Sequence, residues 1–232
     1  MLHAFTDMIG RKVEIDFPPK RIISLVPSQT ELLYDLGLRE EVIGITKFCV
    51  HPGEWFRNKK RVGGTKTLRI DIIRSLQPDL IIANKEENTQ AQVEELSALF
   101  PTWVSNIRTI DEALYMIQEV GEMVGTSAHS EMLVKEIRQG FLSLKKPVIP
   151  KRIAYFIWRN PWMCAGGDTF ISDMIGRIGW ENVLADKMRY PDIELEELKN
   201  MNADLILLSS EPYPFKEAHI AEIKAVLPGT EV

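Results

Sequence analysis

Cysteine is nearly missing from this chain: 232 residues contain two, Cys49 and Cys164, far apart in sequence. That excludes a disulfide framework; a single bridge between them or two small buried hydrophobes remain, and the second is the ordinary use of such cysteines. Histidine is scarce too. His3, His51, His129 and His219 stand alone, and no H-E-x-x-H, G-x-S-x-G or phosphate-cradling glycine loop occurs, so the common signatures of a hydrolase, a zinc enzyme or a nucleotide-binding loop are missing. There is no long basic run, and 28 Lys and Arg against 33 Asp and Glu give a net charge of −5, which argues against nucleic acid as a partner. No apolar segment approaches the roughly 20 residues that span a bilayer. The first 21 residues (MLHAFTDMIGRKVEIDFPPKR) hold no uninterrupted apolar stretch and no small-residue cleavage site, so as written the sequence reads as cytoplasmic.

What is present is an ordinary globular balance, 45% hydrophobic and 26% charged, enough for one large domain or two small ones. Thr126 to Lys146 reads as one helix of about five turns. Leu133, Ile137, Phe141 and Leu144 share a face, Glu131, Lys135, Glu136, Arg138 and Gln139 the other, Thr126 or Ser127 supplies a cap, and Pro147 ends it. By periodicity alone this is either a strut between two halves or a crossover helix within one sheet.

Strand and helix alternate on both sides of it, which implies a parallel α/β sheet. Before it, Val13, Ile15 and Phe17 alternate as a short edge strand, Ile22–Val26 and Val42–Thr46 read as strands, and Ser28 or Thr30 caps a helix closed by Gly37. Residues 47–67 show no regular period and read as a long irregular connection. Helix Ile70–Leu76, strand Leu80–Ile82, helix Thr89–Phe100, strand Trp103–Val104 and helix Asp111–Val124 follow. Beyond the strut come strands Ile153–Trp158, Met163–Cys164, Val183–Leu184 and Leu205–Leu208 with helices Thr169–Ile178, Glu194–Met201 and His219–Val226. Asp71–Ile82 (DIIRSLQPDLII) aligns without a gap on Glu196–Leu207 (EELKNMNADLIL), acid on acid and base on base. This match favours duplication, hence a lobe over 1–125, a connecting helix over 126–146 and a second lobe over 147–232.

In open parallel sheets ligands bind beyond the carboxyl ends of the strands. The loops there carry Ser28 and Gln29; Phe48, Cys49 and His51; Gly64, Thr65 and Lys66; Trp158, Arg159 and Trp162; and Tyr190. Aromatic planes, a guanidinium and amide or hydroxyl donors suit a sizeable, partly flat organic ligand. Trp158 and Trp162 around Arg159 either stack on that ligand or pack internally with the arginine paired to a carboxylate, and the ligand reading is preferred. Lys66 is either an anion contact or a solvated loop lysine. Cys49 and His51 do not make a closed metal site, although His51 is one candidate axial ligand to a metal that the ligand itself carries.

The segments Arg21–Leu33 (RIISLVPSQTELL), Arg61–Lys66 (RVGGTK) and Gln77–Ile82 (QPDLII) resemble the helical-backbone (class III) substrate-binding proteins of ABC importers, most of all the cobalamin and iron-siderophore receptors. The resemblance covers residues 10 to 232. It implies two parallel-sheet α/β lobes joined by one long backbone helix, limited hinge motion, no catalysis, no cofactor, and a cobalamin or ferric siderophore, less readily haem, held in the cleft. Trp158, Arg159 and Trp162 then hold one side, with Phe48, Trp55 and the Ser28 and Thr65 loops on the other. It also implies an ABC permease as partner, docked through an acidic residue on each lobe; Asp71 matches the first position, and Glu196, its counterpart in the internal match, the second. Three features depart from the family. The cleft histidines and carboxylates of its zinc and manganese receptors are missing, so a bare metal ion is not expected. The usual leader or lipobox is not seen, against a family habit of periplasmic or cell-surface location. The last strand and helix expected after Thr230 are not there, so the second lobe reads as truncated. An intracellular sensor for the same ligand, or a two-lobed transferase using Arg159 and Lys66 on a phosphate, are the competing readings.

Overall fold

The computed structural model describes residues 1–232 and divides into two compact units, Met1–Ile107 with Glu112–Ile137, and Arg108–Asp111 with Arg138–Val232. Each is built around a mainly parallel sheet with helices, and helix α6 (Ser127–Ser143) carries the chain from the first unit into the second.

The first unit opens with a hairpin, β1 (Leu2–Thr6) antiparallel to β2 (Lys12–Asp16), with Phe5 opposite Val13 and His3 opposite Ile15. Only the alternation of β2 was legible, read there as an edge strand running on to Phe17; β1 exposes every second residue and has no buried face to betray it. Asp7 closes the turn, its Oδ1 accepting from the Ile9 and Arg11 N–H groups at 3.1 and 2.7 Å, and Gly10 takes φ +87°. The main sheet has the order β5-β4-β3-β8-β9, all pairs parallel: β3 (Ile22–Ser24), β4 (Val42–Ile45), β5 (Lys60–Arg61), β8 (Leu80–Asn84) and β9 (Thr102–Ser105). β3 and β9 are buried throughout, and so are the first four residues of β8, which explains their continuous apolar runs.

Helix α1 (Pro27–Asp35) starts on Pro27 at its first turn and has no side-chain cap; Thr30 donates instead to the Val26 carbonyl at 2.9 Å. Gly37, at φ +89°, follows its end as expected. The segment 47–67 is more regular than its composition suggests: it holds helix α2 (Gly53–Asn58), β5 and the small ribbon of β6 (Gly63–Gly64) with β7 (Thr67–Leu68). Such two-residue strands are below the length that any periodicity reveals. Helices α3 (Ile70–Leu76), α4 (Gln90–Ser97) and α5 (Ile110–Met123) fall within a few residues of the sequence expectation. So does α6, but its start is uncapped by Thr126, whose hydroxyl donates back to the Gly121 carbonyl. Leu133, Ile137 and Phe141 on its expected apolar face are half-buried, and Leu144 lies beyond its end, exposed.

In the second unit β10 (Arg152–Trp158) is central. It pairs in parallel with β12 (Glu181–Asn182) and antiparallel with β11 (Met163–Cys164), and in parallel with β13 (Leu205–Leu208). Helices α7 (Phe170–Arg177), α8 (Leu195–Met201) and α9 (Glu217–Val226) complete it. Thr169 caps α7 by accepting from the Ser172 N–H at 3.2 Å. The strand expected at Val183–Leu184 sits two residues earlier, and those two side chains are core.

The internal match is a repeat in hydrogen bonds as well as in sequence. In the first unit Asp79 accepts from the Lys20 and Arg21 N–H groups at 2.7 and 2.8 Å, and Arg21 Nη2 donates to the Leu76 carbonyl at 2.5 Å. In the second, Asp204 accepts from the Arg152 N–H at 2.8 Å, and Arg152 Nη2 donates to the Met201 carbonyl at 3.0 Å. The helix ends match too, Gln77 and Asn202 both being left-handed at φ 45° and 49°.

Candidate functional site

In the second unit the chain goes from β10 to one neighbour, β12, and then returns on the other side as β13, so the order reverses between β10 and β13. In open parallel sheets ligands bind at such a reversal, outside the carboxyl ends of the strands. Two aromatic residues stand at that end of the sheet. Trp158 ends β10 and keeps 39% of its surface exposed, and Tyr213, in the loop after β13, meets it edge-on at 5.3 Å between ring centres.

Behind this pair the aromatic packing continues inward. Tyr213 lies 4.8 Å from Phe215, which stacks on Trp162 at 6.1 Å with the rings 4° from parallel. Trp162 is only 5% exposed and packs edge-on against Phe156 within the core of Cys164, Ile193 and Ile206. As placed, its ring stabilises the unit and offers no face to a ligand. Burial of that core also pushes the Cys164 thiol up, holding it protonated and inert, and both cysteines are free and buried.

Arg159 lies over the Trp162 ring, its Cζ 4.4 Å from the centre, and makes a two-pronged ion pair with Glu222 of α9, Nε to Oε2 at 3.1 Å and Nη2 to Oε1. This is the internal pairing that the sequence left as the second reading, and it neutralises the guanidinium that a phosphate-handling transferase would need. Tyr190 is half-buried, with the Arg189 guanidinium 5.5 Å from its ring centre.

In the first unit the order reverses between β3 and β8. The loops there rest on a buried polar network: Gln29, 1% exposed, donates to the Ala83 carbonyl at 3.3 Å and to Ser105 Oγ at 2.5 Å; Asn84 donates to the same Oγ at 3.0 Å; and Asn88 donates to the Thr65 carbonyl at 2.9 Å. Thr30, Thr46, Ser24 and Cys49 form a second buried chain beside it. Gln29 and Thr65 are therefore scaffolding that ties the segments after β3, β6 and β8 together, while Ser28 and Lys66 are exposed to solvent.

Phe48, after β4, is 51% exposed with the Lys47 ammonium 5.0 Å from its ring centre. Gly64 makes room for it, since a Cβ there would stand 3.1 Å from Phe48 Cε2. Trp55 lies elsewhere: it is 1% exposed inside the unit, edge-on to Tyr34 at 5.3 Å, so it is a core residue. His51 is exposed just ahead of α2. No group of three or more His, Cys, Asp or Glu is gathered where it could hold a metal ion.

Asp71 and Glu196 are exposed in the first turns of α3 and α8, equivalent places in the repeat; Asp71 pairs with Arg69 at 3.2 Å. The residues that sequence reasoning undervalued are Tyr213, Phe215, His219 and Glu222. For Tyr213 and Phe215 the signal was the run Glu211-Pro-Tyr-Pro-Phe shortly after an apolar strand. No helix is long and apolar enough to cross a membrane.

Residues 22–226 match the family model described as periplasmic binding protein. The chain is 28% identical over 213 residues to an uncharacterized ABC transporter substrate-binding lipoprotein, YvrC, of Bacillus subtilis, covering 87% of this chain and 67% of that protein. It is 26% identical over 195 residues to a vitamin B12-binding protein of Yersinia pestis, covering 82% and 69%. The periplasmic vitamin B12-binding protein BtuF of Vibrio cholerae has the same fold, with a TM-score of 0.74, 24% identity and coverage of 92% of this chain and 84% of that one. With the strand-helix alternation, the internal repeat and the long helix α6, these matches lead to one conclusion: the chain belongs to the periplasmic binding protein family, in its helical-backbone, ABC-type substrate-binding branch.

Proposed function

We propose that the protein captures a corrinoid of the cobalamin type for an ABC-type importer. The observation that carries this reading is the exposed Trp158–Tyr213 pair at the reversal point of the second sheet. Exposing a tryptophan beside a core that buries Trp162, Phe156 and Cys164 leaves unfavourable apolar surface in water unless a ligand covers it. Paired aromatic rings with the nearest guanidinium neutralised suit the broad, weakly charged face of a corrin ring better than a bare ion. The relatives named for vitamin B12 binding support the same class.

Phe48 is proposed as the exposed aromatic contact of the first unit, with Ser28, Lys66 and the Gly64–Thr65 turn around it. Asp71 and Glu196 are proposed to meet basic residues of the permease, because exposed acids at equivalent places of a repeat suit a partner with two-fold symmetry.

Tryptophan fluorescence tests the reading directly. The purified protein is titrated with cyanocobalamin, cobinamide, haem and a panel of ferric siderophores. Saturable quenching by the corrinoids at micromolar or lower concentration is expected. Quenching by a ferric siderophore alone would move the ligand to metal chelates, and no response to any of them would remove the solute class altogether.

A further inference from the structure

His219 touches both the loop that carries Tyr213 and the helix that follows it, and both of its ring nitrogens are used. Its Nδ1 accepts from the Lys216 N–H at 2.8 Å, the reach of a third-position side chain back to the first residue of a helix. Its Nε2 lies 3.2 Å from the Tyr213 hydroxyl. An acceptor nitrogen carries no proton, so the neutral ring holds its hydrogen on Nε2 and donates it to Tyr213. The ring is half-buried and wedged edge-on against Trp162 at 6.5 Å and Phe215 at 5.7 Å.

The charged and titratable groups around it come from three elements. Arg159 stands on the turn after β10, Glu211, Tyr213 and Lys216 on the loop after β13, and Glu217 and Glu222 on α9 itself. Arg159 and Glu222 are paired with each other, and the hydrogen bonds of the imidazole run to the Lys216 N–H and the Tyr213 hydroxyl.

We propose that His219 is the positioning residue of the ligand platform: through Tyr213 it fixes Trp158, and it does so only while its Nδ1 is unprotonated. A proton taken up on Nδ1 turns that acceptor into a donor facing the Lys216 N–H. The helix start then loses its partner, the loop from Glu211 to Lys216 is released, and Tyr213 leaves the edge of Trp158. This rests on the platform being the ligand-binding surface, but the device itself exists in the ligand-free protein and is tested there first.

The test records the nitrogen shifts of the His219 ring by NMR and, in parallel, the emission of Trp158, isolated as the difference between the native protein and Trp158→Phe, from about pH 8 to about pH 5. In the native protein the ring is the Nε2-H tautomer at the upper end, and Trp158 emission changes in step with proton uptake. His219→Gln keeps an acceptor for the Lys216 N–H and does not titrate in this range, so its Trp158 emission stays flat. Tyr213→Phe leaves proton uptake at His219 in place but uncouples it from Trp158. Cyanocobalamin titrations across the same range then show Kd rising about fivefold for the native protein, the weight of one net hydrogen bond, and unchanged for His219→Gln. An identical emission transition in the native protein and His219→Gln, or none in either, would overturn the inference. Coupling in the free protein without any cyanocobalamin binding would leave the inference standing and count against the corrinoid reading alone.

Discussion

Trp158 and Trp162 sit four residues apart on one turn, with 39% and 5% of their surfaces exposed. Truncating the first removes ligand contact and little packing, so Trp158→Ala is expected to raise the Kd for cyanocobalamin by tenfold or more, about 1.4 kcal/mol, while its urea midpoint moves little. Truncating the second opens a cavity among Phe156, Cys164 and Ile193, and Trp162→Ala is expected to lose about 3–5 kcal/mol of stability. A chemical denaturation curve beside a binding curve for each variant separates the two roles. Nothing in the spelling WRNPW distinguishes them. The sequence places one at the end of a buried strand and the other just beyond it, and only the course of the turn decides which ring faces inward. Arg159 was equally ambiguous, because its carboxylate partner Glu222 lies 63 residues away and on another element. A different residue-scale effect concerns α5. Partial burial there holds the Glu119 carboxyl above its usual range, opposed by the Tyr115 hydroxyl and reinforced by the Glu122 charge. A raised carboxyl value favours the protonated form in the fold, so this contribution is full below the unfolded value and is lost as pH rises through the folded one. Glu119→Gln should therefore be slightly more stable than the native protein at pH 7, and the difference should vanish in acid, as denaturation curves at the two ends of that range would show.

At the scale of elements, the unit of construction is a helix that ends in a left-handed residue, feeds an Asp-Leu-Ile strand, and is tied to the start of the central strand by an Arg and an Asp. It occurs twice, through Gln77, Asp79 and Arg21, and through Asn202, Asp204 and Arg152. Asn tolerates the left-handed region better than Gln does, so the two ends are unequal. Gln77→Gly is expected to raise the melting temperature, and Asn202→Gly to raise it less or not at all. Calorimetry of the two variants reads this directly, and equal shifts would mean that helix-end geometry is not what limits either end. The helix and strand halves of this unit were legible, because amphipathic spacing and a buried apolar run leave periodic marks. The arginine ties were not, since each joins residues more than 45 positions apart. Nor were α2 and the two-residue strands of 47–67, which are too short to repeat a period. The cap expected from Ser28 or Thr30 on α1 failed, and so did that from Thr126 on α6, for a related reason: a hydroxyl near a helix start can equally donate to a backbone carbonyl, as Thr30 and Thr126 do.

For the molecule as a whole, two α/β units with α6 carrying the chain between them could be anticipated from the alternation of elements, and the family resemblance drew on the same segments that form β3, α1 and β8. The candidate site was legible only in its location. Loops after parallel strands are where ligands bind; Phe48, after β4, and Trp158, at the end of β10, keep exposed rings, whereas Trp55, Trp162 and Gln29 are enclosed within their own units. Tyr213 and His219 were undervalued because a tyrosine among prolines after a strand and an isolated histidine do not show what they touch; their meaning is spatial, set by β13 delivering one beside β10 and α9 delivering the other behind it. The Trp158–Tyr213 surface is proposed to hold a corrinoid. Isothermal titration calorimetry of the native protein and of Trp158→Ala with cyanocobalamin tests it most directly. Saturable one-to-one binding at micromolar or lower Kd is expected, weakened tenfold or more in the variant while its circular dichroism is unchanged. No binding heat, or binding that Trp158→Ala leaves intact, would contradict it.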